Sequence, residues 1–427
     1  MNPLFPPQVG RGPGRVKLAL PLLRRWAGVA LALLLGSASA QVLYLPLDDR
    51  PPNWGPCRYG LVLCPPRASY RGPQGADLPR LRAWLLSTPG EALVGSLDAL
   101  AYGGLLQSRH LPLPPEDALA RLGPLLSWKA RYGGRLYLYG VIPRWDATQR
   151  GRNLEVLRGV ASFGGLGGVY LEAPWDDAVQ RSPALAEARR LPYPTRPGAD
   201  EAGQVLLLRA LRPGLKVAVA YEDPALAGRT TPYEGLPLAE TVARLLASAG
   251  AEAVPLSEGP DLVLYLYGGL NPRKALLDLL RLMGEHRVAL ADLSRVNRGD
   301  PRLAEGLLAL GLFPRLAAYA AWGTPANNLG SALAQGGLFL GDEEGRKARL
   351  FEAYFAYWWG EVGRPWVRAR FPEPLPEEAR EAARLFQPVP WEGGVLELSA
   401  LAFPWGRSFE AEGALSWRPL PGERPSP

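Results

Sequence analysis

Acidic residues recur in this sequence at one kind of place, just after a short apolar run and just before a turn. Asp48 and Asp49, with Arg50, follow Val42–Leu47, and Asp98 follows Ala92–Leu97. Asp176 and Asp177 stand beside Trp175, Glu234 lies in Pro232-Tyr-Glu-Gly235, and Asp292 follows Arg287–Ala291. Acids paired across a sugar-sized cleft act as general acid and as base or nucleophile. Asp98 and Asp292 end their apolar runs most directly and are the first candidates for those two roles, with Asp49 and Glu234 behind them. Trp175, Tyr102 and Trp322 offer ring faces that stack on sugars. Asp48, Arg50, Arg109, Arg144, Asp176, Asp177, Asn327 and Asn328 supply groups that bind hydroxyls. The helix opening near Asn327 would also aim free N–H groups at an oxygen-rich ligand. Adjacent acids such as Asp48 and Asp49, or Asp176 and Asp177, could instead hold Mg2+ or Ca2+. Neighbours on an extended strand point to opposite faces, however, so roughly half of these acids are expected to be structural.

Other chemistries find less support. No Gly-rich phosphate loop follows an apolar run, and Gly164-Gly-Leu-Gly-Gly168 lacks the dinucleotide fingerprint. No Gly-x-Ser-x-Gly elbow occurs. Of the two histidines, His286 precedes an apolar run and sits at the wrong end for a site, which leaves His110 as the catalytic candidate. Two cysteines and two distant histidines make no zinc set. The net charge of +7 is spread over scattered arginines without a basic stripe, so no nucleic-acid partner is expected. The expected partner is a small molecule or a glycan. No cofactor is expected, with a divalent metal as the open alternative.

These residues need elements to position them. Eight apolar segments read as buried strands: Val42–Leu47, Ala92–Leu97, Arg135–Ile142, Gly168–Leu171, Leu215–Ala220, Asp261–Tyr267, Arg287–Ala291 and Leu316–Ala321. Amphipathic stretches lie between them, as in Leu238, Val242, Leu245, Leu246 and Ala249. Such alternation implies an α/β fold with a mostly parallel sheet. Eight repeats predict a (β/α)8 barrel-like core over residues 41–340, and the alternative is two doubly wound, Rossmann-like lobes. In both, ligands meet the carboxyl ends of the strands. Residues 341–427 read as a C-terminal extension with an aromatic-rich helix over 343–360, a small β module and a disordered tail over 419–427. At the other end, Arg11 to Arg25 is basic, Trp26–Leu35 is apolar, and Ala38-Ser-Ala40 fits a cleavage site. Residues 1–40 thus predict a signal peptide, an exported protein and no membrane span after cleavage, with an uncleaved anchor as the alternative. In an oxidising compartment Cys57 and Cys64 could close a small loop.

A set of motifs gives the chain a resemblance. Leu45-Pro-Leu-Asp-Asp-Arg-Pro51, Asp98 with Tyr102-Gly-Gly104 and Ser108-Arg109, and Pro174-Trp-Asp-Asp177 belong to it. So do Gly198-Ala-Asp-Glu201, Tyr233-Glu-Gly235, Ala291-Asp292 with Asn297, and Ala318-Tyr-Ala-Ala-Trp-Gly-Thr-Pro-Ala-Asn-Asn328. Together they resemble the bacterial domain-of-unknown-function family 4127 over about 42–335. The resemblance implies export but supplies no activity. Gly323 and Pro325 depart from the polar or small residues expected in its tryptophan motif, and 297–300 differs as well. The expected function is an exported hydrolase of a carbohydrate or cell-envelope glycan. The alternatives are an exported binding protein for a small polar ligand and a metal-dependent amide or phosphate hydrolase.

Overall fold

The computed structural model describes residues 41–179 and 182–420. The signal-peptide expectation and the final residues of the predicted tail therefore lie outside the described residues. Two parallel five-stranded sheets make the core. The first runs β1 (Val42–Leu45), β2 (Ala92–Ser96), β3 (Arg135–Tyr139), β4 (Val169–Trp175) and β5 (Thr195–Pro197) in sequential order. The second contains β6 (Lys216–Tyr221), β7 (Glu252–Ala253), β8 (Leu262–Tyr267), β9 (Val288–Asp292) and β10 (Ala318–Ala320), in the order β10-β9-β8-β6-β7. The α/β class and the strand–helix alternation agree with the sequence. The count of eight does not, because β5 and β7 were too short to give an apolar period of their own. The pairing forms two sheets, and no ladder joins one sheet to the other among the described residues.

Both faces of each sheet are covered, which is why these strands read as continuous apolar runs. Leu43, Leu45, Leu93, Leu136 and Leu138 pack on the helices that connect β1 to β4. Tyr44, Val94 and Tyr137 point the other way, into a cluster shared with Val217, Leu262, Leu264 and Ala289 of the second sheet. Two helices, Ala202–Leu211 and Pro325–Leu338, contribute to that shared cluster and touch one another. Every residue of Pro325–Leu338 is buried, so it carries no polar face. Small residues permit this approach. A Cβ on Gly330 would stand 2.3 Å from the Glu201 side chain, and one on Gly203 would stand 2.3 Å from the Tyr44 hydroxyl.

The helix Glu343–Trp358 packs on the outer face of the second sheet, where Phe313, Tyr319, Tyr354, Phe386 and Trp391 interlock. Most of the aromatics bunched in the sequence near 354–359 are thus core. The chain continues through Trp359–Gly363 and Arg364–Arg368 and ends in an antiparallel sheet of β11 (Val389–Trp391), β12 (Gly394–Ala402) and β13 (Glu412–Pro419). Among the described residues no helix is long and apolar enough to cross a membrane.

Cys57 and Cys64 form a disulfide. Cys57 lies in the helix Pro51–Arg58, which starts directly after Arg50, and Cys64 follows Leu63, which pairs with Leu43 at the free edge of β1. The bond pins the turn beyond β1 to the sheet edge. Closing so short a loop restricts the unfolded chain by about 2–2.5 kcal/mol. Replacing both cysteines with serine should lower the stability by about that amount in urea unfolding, and the untreated protein should show no thiol until a reductant is added.

Candidate functional site

The strand tips of the first sheet converge on one arginine. Arg50 donates from Nε to Asp48 at 2.9 Å and from Nη2 to Asp200 at 2.6 Å. Asp48 also accepts from Asn53 Nδ2 at 2.9 Å and from the Arg50 amide at 3.2 Å. Asp200 lies in the turn after β5, so this arginine ties the first strand of the sheet to the last. Burial pushes both carboxyls above the usual carboxylate range; Arg50 opposes this, and the Asp176 charge pushes Asp200 further up. Burial alone would disfavour the Arg50 charge, but Asp200, Asp48 and Glu410 more than offset it. Two acids that share one cation leave a negative charge uncompensated, which works in the same direction as burial on both carboxyls. Asp49 turns to the far end of the chain, accepting from Trp405 Nε1 at 2.9 Å.

Arg109, after β2, pairs with Asp176, after β4. Arg144, after β3, stands 2.9 Å from Asp146 and 3.7 Å from Asp177. Asp177 is buried, its Oδ1 has no partner among the described residues, and burial followed by the Asp176 charge raises its pKa. The tips of β1 to β5 therefore form one charged rim.

Other candidates sit elsewhere. Asp98 lies in the first turn of the helix Leu97–Tyr102 and accepts the Val141 amide at 2.8 Å. Burial pushes its carboxyl up to about 7. Tyr102 is buried with the Arg152 guanidinium 4.0 Å above its ring, and Trp175 is buried with its Nε1 donating to the Glu234 carbonyl. Neither ring offers a free face. Asp292 is fully buried and saturated: it accepts from the Ser294 amide (3.0 Å) and hydroxyl (2.5 Å), the Asp300 amide (2.8 Å) and the Tyr319 hydroxyl (3.1 Å). Burial raises its pKa, and those donors oppose the rise. Glu234 accepts from Thr231 and, at 2.9 Å, from the Ala326 amide. It caps the helix Pro325–Leu338, so the N–H groups expected to face a ligand there meet a carboxylate of the protein itself. Asn328 clamps the Gly323 backbone and the Asp292 carbonyl, while Asn327 is buried beside it, its Oδ1 without a partner among the described residues. His110 is near Thr148 on the surface.

In open parallel sheets a ligand commonly enters where the strand order reverses. That point here lies between β6 and β8. Glu222 fills it by accepting the amides of Gly268 (2.9 Å), Leu270 (3.2 Å) and Asn271. Near these strand tips, open space lies beside Arg50. A cavity of about 120 Å3 is lined by Arg50 and Asp200 from the first sheet and by Tyr319 and Trp322 from the second. Trp359, Arg364 and residues 409–413 of the C-terminal segment complete its wall. At about 10–15 Å3 per water position it has room for a small polar ligand. Among the described residues no three His, Cys, Asp or Glu side chains gather as a metal-ligand set.

Asp200 sat within a motif read only for its resemblance. Glu410 and Trp405 belong to the C-terminal extension, read only as a small β module, and Arg364 follows its aromatic-rich helix. Arg196 also escaped notice. Buried between β4 and the central helices, it donates to Glu172 at 3.0 Å and to Glu201 at 2.7 Å. Removing one partner of such a pair strands a buried charge, so Arg196→Met should cost about 3–5 kcal/mol in urea unfolding.

Burial also pushes Glu201 up to about 7, as it does Asp98. Both titrate near 4 when unfolded. The folded chain therefore binds more protons between those values. The stability these groups contribute is complete below about pH 4 and is lost as pH rises through 7. Unfolding measured from pH 4 to 8 should show this decline. Asp98→Asn should remove on the order of 3–4 kcal/mol of it, and so stabilise the protein at pH 8.

No curated protein matches the chain. A family model described as "Protein of unknown function (DUF4127)" matches residues 42–155 and 177–413, which include β1, Arg50, Asp200 and the cavity wall as far as Gly413. The chain belongs to the DUF4127 family.

Proposed function

We propose that the protein is an exported hydrolase acting on a carbohydrate or cell-envelope glycan in the cavity beside Arg50. The observation that carries this reading is Asp200 at the cavity wall, its carboxyl raised by burial and by the nearby charges of Asp176 and Asp48. A raised carboxyl pKa favours the protonated form that a general acid needs. Glu410 supplies the second carboxylate: it lines the same cavity, acts on the charge of Arg50, and is oriented by Arg407 Nε at 2.9 Å. In this scheme Asp200 protonates the departing glycosidic oxygen while Glu410 activates water or attacks the anomeric carbon. Arg50 grips hydroxyls and holds Asp200 in place, and Trp322 gives a ring face. Asp98 and Asp292, whose oxygens are taken by backbone and side-chain donors, brace the loops. The disulfide suits an oxidising compartment and so supports export. We read the two sheets as two lobes meeting at this cavity, since the helices Ala202–Leu211 and Pro325–Leu338 occupy the space between them.

A panel of chromogenic glycosides and cell-wall fragments tests the reading. Turnover of one class is expected, undiminished by a chelator. Asp200→Asn should lower kcat by about 10²–10⁴-fold and leave affinity within tenfold. Saturable binding without turnover anywhere on the panel would instead favour a binding protein for a small polar ligand. The saturated carboxylate of Asp292 fits that second reading.

A further inference from the structure

Four arginines line the cavity, and three have carboxylate partners. Arg50 is held by Asp48 and Asp200, Arg58 by Glu352 at 3.2 Å and Glu412 at 3.0 Å, and Arg349 by Glu352. Arg364 is the exception. It is 7% exposed, yet no carboxylate of the described residues lies within ion-pair distance. Of its five N–H donors, one has a partner among the described residues, Nη2 to the Asn297 carbonyl at 2.6 Å. Its guanidinium lies 5.3 Å from the Phe409 ring centroid, and Phe409 also lines the cavity. Arg368 and Arg298 are its charged neighbours; with burial they lower its pKa to about 10, and Glu361 opposes them too weakly to compensate. A buried cation without a counter-charge is costly, and proteins keep one where a ligand brings the missing charge.

We infer that the ligand of this cavity carries an oxyanion, a carboxylate or a phosphate, which the free edge of the Arg364 guanidinium receives. The inference rests on the reading that this cavity is the ligand site, and it narrows the substrate class to acidic sugars. The fork of an arginine matches two oxygens of either anion, and Trp322 and Trp359 in the same wall leave room for the body of a sugar. The other three arginines of the wall are already held by carboxylates, so an anion falls to this one side chain.

Binding, read without turnover, tests this independently of hydrolysis. Tryptophan fluorescence of the full chain would be titrated with glucuronate, glucose 6-phosphate, glucose and inorganic phosphate. At least one acidic sugar should bind tenfold or more tightly than glucose, and the two acidic probes tell carboxylate from phosphate. Arg364→Met should abolish that margin and leave any glucose binding unchanged, with a melting temperature equal to or above that of the parent. Arg364→Lys should keep part of the margin. Equal affinity for acidic and neutral probes, no response to any anion, or a margin that survives in Arg364→Met would overturn the inference. A response to inorganic phosphate that is unaffected by Arg364→Met would show an adventitious ion only. Should the margin hold while the glycan panel shows no turnover, the hydrolase reading fails and the anion site stands.

Discussion

One guanidinium between two carboxylates organises the first half of the molecule. Arg50 joins the tip of β1 to the turn after β5, which are opposite ends of a sheet whose strands run in sequential order. Such a sheet has no reversal of strand order, and therefore no natural crevice at its carboxyl edge. The charged rim has to be drawn together by side chains, and Arg50 does this with Arg109 and Arg144 beside it. Three buried arginines then differ in how their charge is met. Arg196 has two carboxylates in the interior, Arg50 has two with one of them at the cavity wall, and Arg364 has none among the described residues. The same side chain thus serves as interior brace at Arg196 and as organiser of the charged rim at Arg50, and at Arg364 it stands without an acid of the described residues.

Much of the α/β pattern was legible because buried parallel strands are apolar on both faces and end abruptly. Val42–Leu45, Leu262–Tyr267 and Val288–Asp292 declare themselves in that way. Thr195–Pro197 and Glu252–Ala253 do not, being two or three residues held by backbone pairing to a longer neighbour. Without them the alternation counts to eight, and a ring is the natural inference. The division into two sheets depends on which face each connecting helix covers, and a period of 3.6 residues does not carry that information.

For the site, the sequence placed Asp48, Arg50, Asp176 and Asp177 at the carboxyl ends of strands, and the structure has them there, linked by ion pairs. It could not tell a free acid from a saturated one. Asp292 looks exposed at a strand tip, but Ser294, Asp300 and Tyr319 converge on it once the loop folds back. Glu234 likewise caps a helix that begins about ninety residues later in the chain. Such partners are set by tertiary return paths, for which local composition holds no record. The C-terminal wall of the cavity was hidden for the same reason, since Phe409 and Glu410 reach it from a segment with no resemblance to the strand tips opposite.

The bond from Trp405 to Asp49 spans 356 positions of sequence. Ribosomes deliver the amino terminus first, so the loop bearing Asp49 emerges long before its indole partner exists. Until the last part of the polypeptide has been made and has folded back, one wall of the cleft is missing and the acid-rich tip stands open to water. Closure of this wall is thereby deferred until the C-terminal segment has folded back onto the first strand tip.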